Sequence, residues 1–232
     1  MNFFICFAVL LISATCNGQS GNEKSPLCKS RNTYVNLEGK CDSYIECRDY
    51  QAIETNCPDG LNYNPNAEWP AYPCSYPQDV PCAGRRSSQP AEPTANCPRQ
   101  YGYFKSPLAN ENDCGHYRLC NGGQAFEMYC PAGLAFNADN ARCDWPELVS
   151  SCNAENYIGF KCPQPSYDVS GNPIVTNHRY EGNCYVFYSC VKGHAHILSC
   201  DEGFAFDAVN GRCEIEDRVN CDARTSKKQA PI

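Results

Sequence analysis

Residues 114–130 read CGHYRLCNGGQAFEMYC, two short runs of alternating apolar and polar positions separated by Asn-Gly-Gly. Alternation with a period of two turns one strand face to a core and the other to solvent, and a glycine pair between two such runs signals a hairpin. Related runs occur twice more, with VKG at the turn in the last copy and RDY in the first, which has to turn without glycine. A second hairpin is expected inside CPAGLAFNADNARC (130–143) and CDEGFAFDAVNGRC (200–213), with Asn210-Gly211 marking the latter's turn, and CPDGLNYN (57–64) opens the same pattern in the first copy. No long stretch carries the 3.6-residue period of an amphipathic helix, so the pattern predicts small antiparallel β modules. The N-terminal MNFFICFAVLLISATCNGQ is apolar over about a dozen residues and then small. That is the order of a secretory signal, assigned to residues 1–18, and it is too short to span a bilayer. No later stretch is apolar enough for a membrane helix, so a released, soluble mature chain is expected.

Cysteine spacing makes the repeat explicit. Cys28, Cys41, Cys47, Cys57, Cys74 and Cys82 are separated by 12, 5, 9, 16 and 7 residues. Cys97, Cys114, Cys120, Cys130, Cys143 and Cys152 are separated by 16, 5, 9, 12 and 8, and Cys162, Cys184, Cys190, Cys200, Cys213 and Cys221 by 21, 5, 9, 12 and 7. The invariant central 5 and 9 divide the chain into modules at 28–82, 97–152 and 162–221. Each is 55 to 60 residues long, a size at which burial alone leaves stability marginal. An even cysteine count in a secreted chain implies a disulfide framework, each bridge contributing about 2–4 kcal/mol. Spacing alone does not choose the pairing. The pattern lacks the CxxC pairs of structural zinc sites, and no metal or cofactor is expected.

Charge and linkers narrow the partners. A net charge of −7 argues against nucleic acid and against an anionic membrane surface. Residues 83–96, AGRRSSQPAEPTAN, suit a flexible or semi-extended linker in which Arg85 and Arg86 form a solvated basic pair. The second linker, NAENYIGFK (153–161), carries Tyr157, Ile158 and Phe160, rings and a branched chain that should not be left in water, so modules two and three are expected to pack together. The tail at 222–232 reads as a disordered solvated end.

The aromatic positions carry the candidate chemistry. Tyr44, Tyr117 and Phe187 lie midway between the second and third cysteines and have opposite strand parity to both sulfurs, so they project away from the disulfide face. They read either as platforms for a ligand or as caps of a second small core, the latter weighing most for Phe187. Tyr63, Phe136 and Phe206, which follow a glycine turn, read as core. Asn64, Asn137 and Asp207 come next, each either a turn stabiliser or a ligand hydrogen-bonding group. Just past the fifth cysteine stand Tyr76 and Trp145, with Ile215 in the third module. Flat rings with a few polar groups and no required charge suit a neutral polysaccharide, and three linked weak sites can gain roughly 10²–10⁴ in avidity.

At these residues a resemblance enters. The frame C-x-x-[YF]-x-x-C, C-P-x-G-[LF]-x-[FY]-[ND] and C-D-W-P resembles the peritrophin-A, or type-2, chitin-binding domain. Three such domains behind a signal resemble the obstructor group of cuticular proteins analogous to peritrophins, and CPRQYGYF, CPAGLAFN and CDWPELVSSCNAENYIGFKCP resemble its E branch in particular. The resemblance implies a small disulfide-rich all-β fold: three tandem modules, each a three-stranded antiparallel sheet followed by a two-stranded hevein-like hairpin that faces the sugar. It implies pairing of first with third, second with sixth and fourth with fifth cysteines. The bridges would be Cys28–Cys47, Cys41–Cys82, Cys57–Cys74, Cys97–Cys120, Cys114–Cys152, Cys130–Cys143, Cys162–Cys190, Cys184–Cys221 and Cys200–Cys213. It implies a secreted, non-catalytic protein that binds and organises chitin in cuticle, with other cuticle matrix proteins as further partners. Site residues would be Tyr44, Asn64, Tyr76, Tyr117, Asn137, Trp145, Phe187 and Asp207.

Other classes weigh less. A chitinase or deacetylase needs a large domain with clustered acids or metal ligands, for which no segment has room. His194 and His196 read as an exposed polar pair and not as metal ligands. A secreted disulfide-rich protease inhibitor or protein-binding module is the stronger rival. A gut-lining peritrophic component is the other, disfavoured by the lack of any N-x-[ST] sequon and of Ser/Thr/Pro-rich stalks.

Overall fold

A computed structural model describes residues 24–87, 89–110 and 112–221. The signal and the tail assigned from sequence lie outside these residues. In the first module, β1 (Thr33–Asn36), β2 (Ser43–Arg48) and β3 (Gln51–Asn56) form an antiparallel sheet in the order β1-β2-β3, followed by the short pair β4 (Asn62–Tyr63) and β5 (Cys74–Ser75). The second repeats it with β6 (Gly102–Lys105), β7 (His116–Asn121) and β8 (Gln124–Tyr129), then β9 (Ala135–Asn137) and β10 (Arg142–Asp144). The third follows with β11 (Thr176–Arg179), β12 (Val186–Val191) and β13 (His194–Ser199), then β14 (Phe204–Asp207) and β15 (Arg212–Ile215).

The tight hairpin of each sheet is a two-residue loop with both residues at positive φ, the geometry whose twist matches the flanking strands. Gly122 and Gly123 supply it in module two, at φ 58° and 76°. In module one Asp49 and Tyr50 adopt the same turn at φ 50° and 65° without glycine. The strain is offset locally: the Asp49 amide donates to Asn32 Oδ1 at 3.0 Å and the Tyr50 amide to the Arg31 carbonyl at 2.9 Å.

Nine disulfides close the modules, each in first–third, second–sixth and fourth–fifth order. In module one they bind two small cores. One, on the Cys28–Cys47 side of the sheet, holds Ile45 with Val35, Leu37 and Ala52. The other, beneath the second hairpin, holds Tyr44, Leu61 and Tyr63 around Cys57 and Cys74.

The first linker departs from the expectation of a flexible segment. The segment 83–96 is tied down by hydrogen bonds, because two buried aspartates of module one reach out for its amides. Asp42 Oδ2 accepts from Ser87 Oγ and from the Gln89 amide, both at 2.7 Å. Asp59 accepts from the Glu92 amide at 2.8 Å, the Gln100 amide at 3.0 Å and Arg99 Nη1 at 2.6 Å. Of the basic pair, Arg85 is not free in solvent, since it donates to the carbonyls of Tyr63 and Cys82, both at 3.1 Å, whereas Arg86 stays exposed and joins Lys40 through the backbone. The second linker forms a short helix, α1 (Ala154–Ile158), absent from the sequence reading. Asn153 caps it by accepting from the Asn156 amide, and Gly159 ends it in the left-handed conformation. Its Tyr157 hydroxyl donates to the Leu134 carbonyl of module two at 2.9 Å, while Phe160 stacks on Tyr188 of module three with centroids 4.3 Å apart. Modules two and three are therefore packed, as expected from the apolar content of the linker.

Candidate functional site

The ring between the second and third cysteines meets the same partner in every module. Tyr44 stacks on Tyr63 with centroids 4.8 Å apart, Tyr117 on Phe136 at 4.9 Å, and Phe187 on Phe206 at 4.8 Å. These rings do project away from the disulfide face, but the hairpin aromatic folds over them. Tyr44 is only 5% exposed, with Tyr34 packed edge-on against it. Burial, then the nearby Glu46, pushes its phenol up to about 12. As an open platform Tyr44 is corrected: it is a core ring. Tyr117 and Phe187 are half-buried, each with one face covered.

Asn64, Asn137 and Asp207 begin the second hairpin and brace its turn. Asn64 Oδ1 accepts from the Asn66 amide at 3.0 Å, Asn137 Oδ1 from the Asp139 amide at 3.1 Å, and Asp207 Oδ1 from the Val209 amide at 2.9 Å. The Val209 bond and that from Asn210 hold the Asp207 carboxyl below the usual range. Asn64 and Asn137 thus each spend their one side-chain oxygen on their own loop, and Asp207 spends both, Oδ2 accepting from Asn210 Nδ2 at 2.5 Å.

The residue two past the fifth cysteine packs onto the next module. Tyr76 lies against Tyr103 of module two, centroids 5.0 Å apart. Trp145 lies flat on His196 of module three, and His196 Nε2 reaches Glu147 Oε1 at 2.8 Å. Trp145 and Tyr76, expected as open sugar platforms, each give a ring face to a module junction, and His196 is not an exposed polar group. In module three the same position holds Ile215, 42% exposed.

The β4–β5 connection carries an aromatic element outside the expected site residues, although Trp69 is visible in the sequence there. The enlarged fourth cysteine gap of module one, 16 residues against 12 in the others, is the signal that could have found it. It displays Trp69 and Tyr72, 38% and 64% exposed. Trp69 leans on Tyr34, centroids 5.5 Å apart, and the Tyr34 hydroxyl donates to the Ala71 carbonyl at 3.0 Å, so two aromatic rings stand open on a braced loop.

Paired charge serves architecture. In module two Glu127 gathers Arg118 Nε and Ser106 Oγ, each at 2.6 Å, with His116 Nε2 at 2.8 Å. Burial pushes the Glu127 carboxyl up, but these partners outweigh it and hold it low. Arg118 Nη1 also donates to the Asn96 carbonyl at 2.7 Å, fastening the linker to the sheet. Among the described residues no group of three or more His, Cys, Asp or Glu side chains is placed to hold a metal ion.

The family model described as Chitin binding Peritrophin-A domain matches residues 28–82, 97–152 and 174–221. Its third match begins at residue 174, inside the long gap between Cys162 and Cys184, and so leaves out the first cysteine of the module drawn from Cys162. Protein obstructor-E of Drosophila melanogaster is 37% identical, over 96% of this chain and 93% of that protein. Peritrophin-1 of Anopheles gambiae is 31% identical, over 61% of this chain and 90% of that protein, and Chondroitin proteoglycan 2 of Caenorhabditis briggsae is 35% identical over 45% and 19%. With the cysteine frame, the stapled hairpins and the aromatic stacks repeated three times, the chain belongs to the chitin-binding peritrophin-A family as an obstructor-type protein with three such domains.

Proposed function

We propose that this is a secreted, non-catalytic protein that binds chitin fibrils and organises them in a cuticular extracellular matrix. The observation that carries the reading is the threefold hairpin, each stapled across its base by its own disulfide, on a body whose module junctions are packed. Sugar-facing loops held in fixed relation suit a repetitive polymer, since weak sites then add through avidity and not through new contacts. Chitin is uncharged, in keeping with an acidic chain of net charge −7. The family description, which prints chitin binding for the domain matched three times along the chain, supports the same substrate. Other cuticle matrix proteins are further partners in this reading.

Within this reading the exposed rings of Trp69 and Tyr72 form the sugar platform of module one, in place of Tyr44. In modules two and three the half-covered rings of Tyr117 and Phe187 act together with Asn137 and Asp207. The test is retention on colloidal chitin with cellulose as control: the oxidised chain is retained on chitin, reduction releases it, and Trp69→Ala with Tyr72→Ala weakens retention. Equal retention on cellulose overturns the assignment.

A further inference from the structure

The junction between modules one and two encloses a groove of about 420 Å³. Its walls come from separate elements: Gln78, past the fifth cysteine of module one; Tyr101 and Tyr103 at the first strand of module two; and Asp139, Asn140 and Arg142 at the tip of the β9–β10 hairpin. Here the hairpin that the proposed function turns toward sugar meets the neighbouring module.

The groove is rigid and almost charge-neutral. Tyr101 is fixed by its amide, which donates to the Asp59 carbonyl at 2.9 Å, and its side chain packs against the core of module one. Gly60, at φ +97°, lies so close that any Cβ there would strike the Tyr101 carbonyl. Arg99 is bonded to Asp59, and Arg142 Nη2 donates to the Gln78 carbonyl at 3.0 Å with Asp79 Oδ1 at 3.3 Å. Both guanidiniums therefore have carboxylate partners, and the groove offers no free cation to an anionic ligand. What remains is ring surface, the Gln78 side-chain amide, Asn140 Nδ2, whose Oδ1 already accepts from the Arg142 amide at 3.1 Å, and the Asp139 carboxylate. Those groups match a pyranose with C–H faces, hydroxyls and an acetamido group, and the volume falls within the range of pre-formed small-ligand sites.

We infer that this junction groove is a saccharide subsite that takes a short N-acetylglucosamine stretch, continuing the path of the polymer from the module-two hairpin onto module one. The inference rests on the chitin-binding reading. It makes the docked pair of modules, and not the single module, the unit that holds the sugar chain.

The test is titration of the intact oxidised chain with chitotriose, followed by amide NMR, with cellotriose and the glucosamine trimer as comparison arms. Expected are shifts at Gln78, Tyr103 and Asn140, and about tenfold weaker chitotriose binding in Gln78→Ala with Asp139→Ala, two surface changes that leave the disulfide frame intact. A second variant, Ala138→Arg, blocks the groove at the hairpin tip by bulk and should produce the same loss. Shifts confined to the three hairpins, unchanged affinity in these variants, or equal binding of cellotriose or the glucosamine trimer would overturn the subsite. A chain that holds insoluble chitin while the groove stays silent refutes this inference alone, whereas a chain that ignores insoluble chitin refutes the function beneath it.

Discussion

Trp145 lies on His196 with ring centroids 3.9 Å apart and planes 14° from parallel, joining the end of module two to the sheet of module three. The imidazole Nε2 also bonds Glu147 Oε1 at 2.8 Å, two residues past Trp145 in module two, so the pair is a joint. His196→Ala should uncover the indole. In a Trp69→Phe background, which leaves Trp145 as the sole tryptophan, emission should move to the red and acrylamide quenching should rise. Trp145→Ala should cost about 1–3 kcal/mol of stability by loosening the junction. If Trp145 were an open sugar platform, His196→Ala would leave its fluorescence unchanged.

The stacked ring pairs make a separate prediction about stability. Tyr44→Ala or Phe187→Ala removes one half of a pair over which a hairpin closes, and should cost about 3–5 kcal/mol. Tyr44→Phe keeps the stack. Because the Tyr44 phenol is raised to about 12, the folded state keeps its proton where the unfolded chain has lost it. Its contribution is whole below the ordinary tyrosine value of 10.0 and is lost as the pH rises toward about 12. Denaturation midpoints across that window should fall in the native chain and fall less in Tyr44→Phe.

At acid pH the first linker should let go. Burial pushes the Asp59 carboxyl up, but the Glu92 and Gln100 amides and Arg99 outweigh it, so its folded value lies below 3.8. The stability it supplies is whole above that ordinary value and is lost as the pH falls through the lower folded one. Amide exchange at Glu92 and Gln100 should accelerate below about pH 4, and Asp59→Asn should show faster exchange already at neutral pH, with a loss of about 1–3 kcal/mol.

Gly60→Ala tests whether modules one and two are held together by close backbone approach. The new methyl meets the Tyr101 carbonyl, and the positive φ adds strain for any side chain. Small-angle scattering should show a longer, more variable particle, while the disulfide map stays unchanged. An unaltered scattering profile contradicts the packed junction.

The sequence made the frame readable because its signals are local: cysteine offsets, two-residue turns and alternating parity each lie within a few residues of what they specify. The fate of a ring is not local. Parity places Tyr44 on the correct face of β2, but the cover comes from Tyr63 in the next hairpin, and for Trp145 from His196, 51 positions along the chain. The same holds for the first linker. Its composition is that of a flexible segment, yet Asp42 and Asp59, whose side chains are buried in module one, collect its amides. Trp69 was legible as the one tryptophan of module one, set in an enlarged cysteine gap, but such a gap tells of extra chain and not of exposed rings, and Tyr72 carried no signal of its own.

The most direct measurement is a binding isotherm of the intact, oxidised chain on insoluble N-acetylglucosamine polymer, at low and at high salt. Saturable retention that survives added salt and disappears when the nine bridges are reduced is the predicted result. No retention at either ionic strength, or retention indifferent to reduction, contradicts the account.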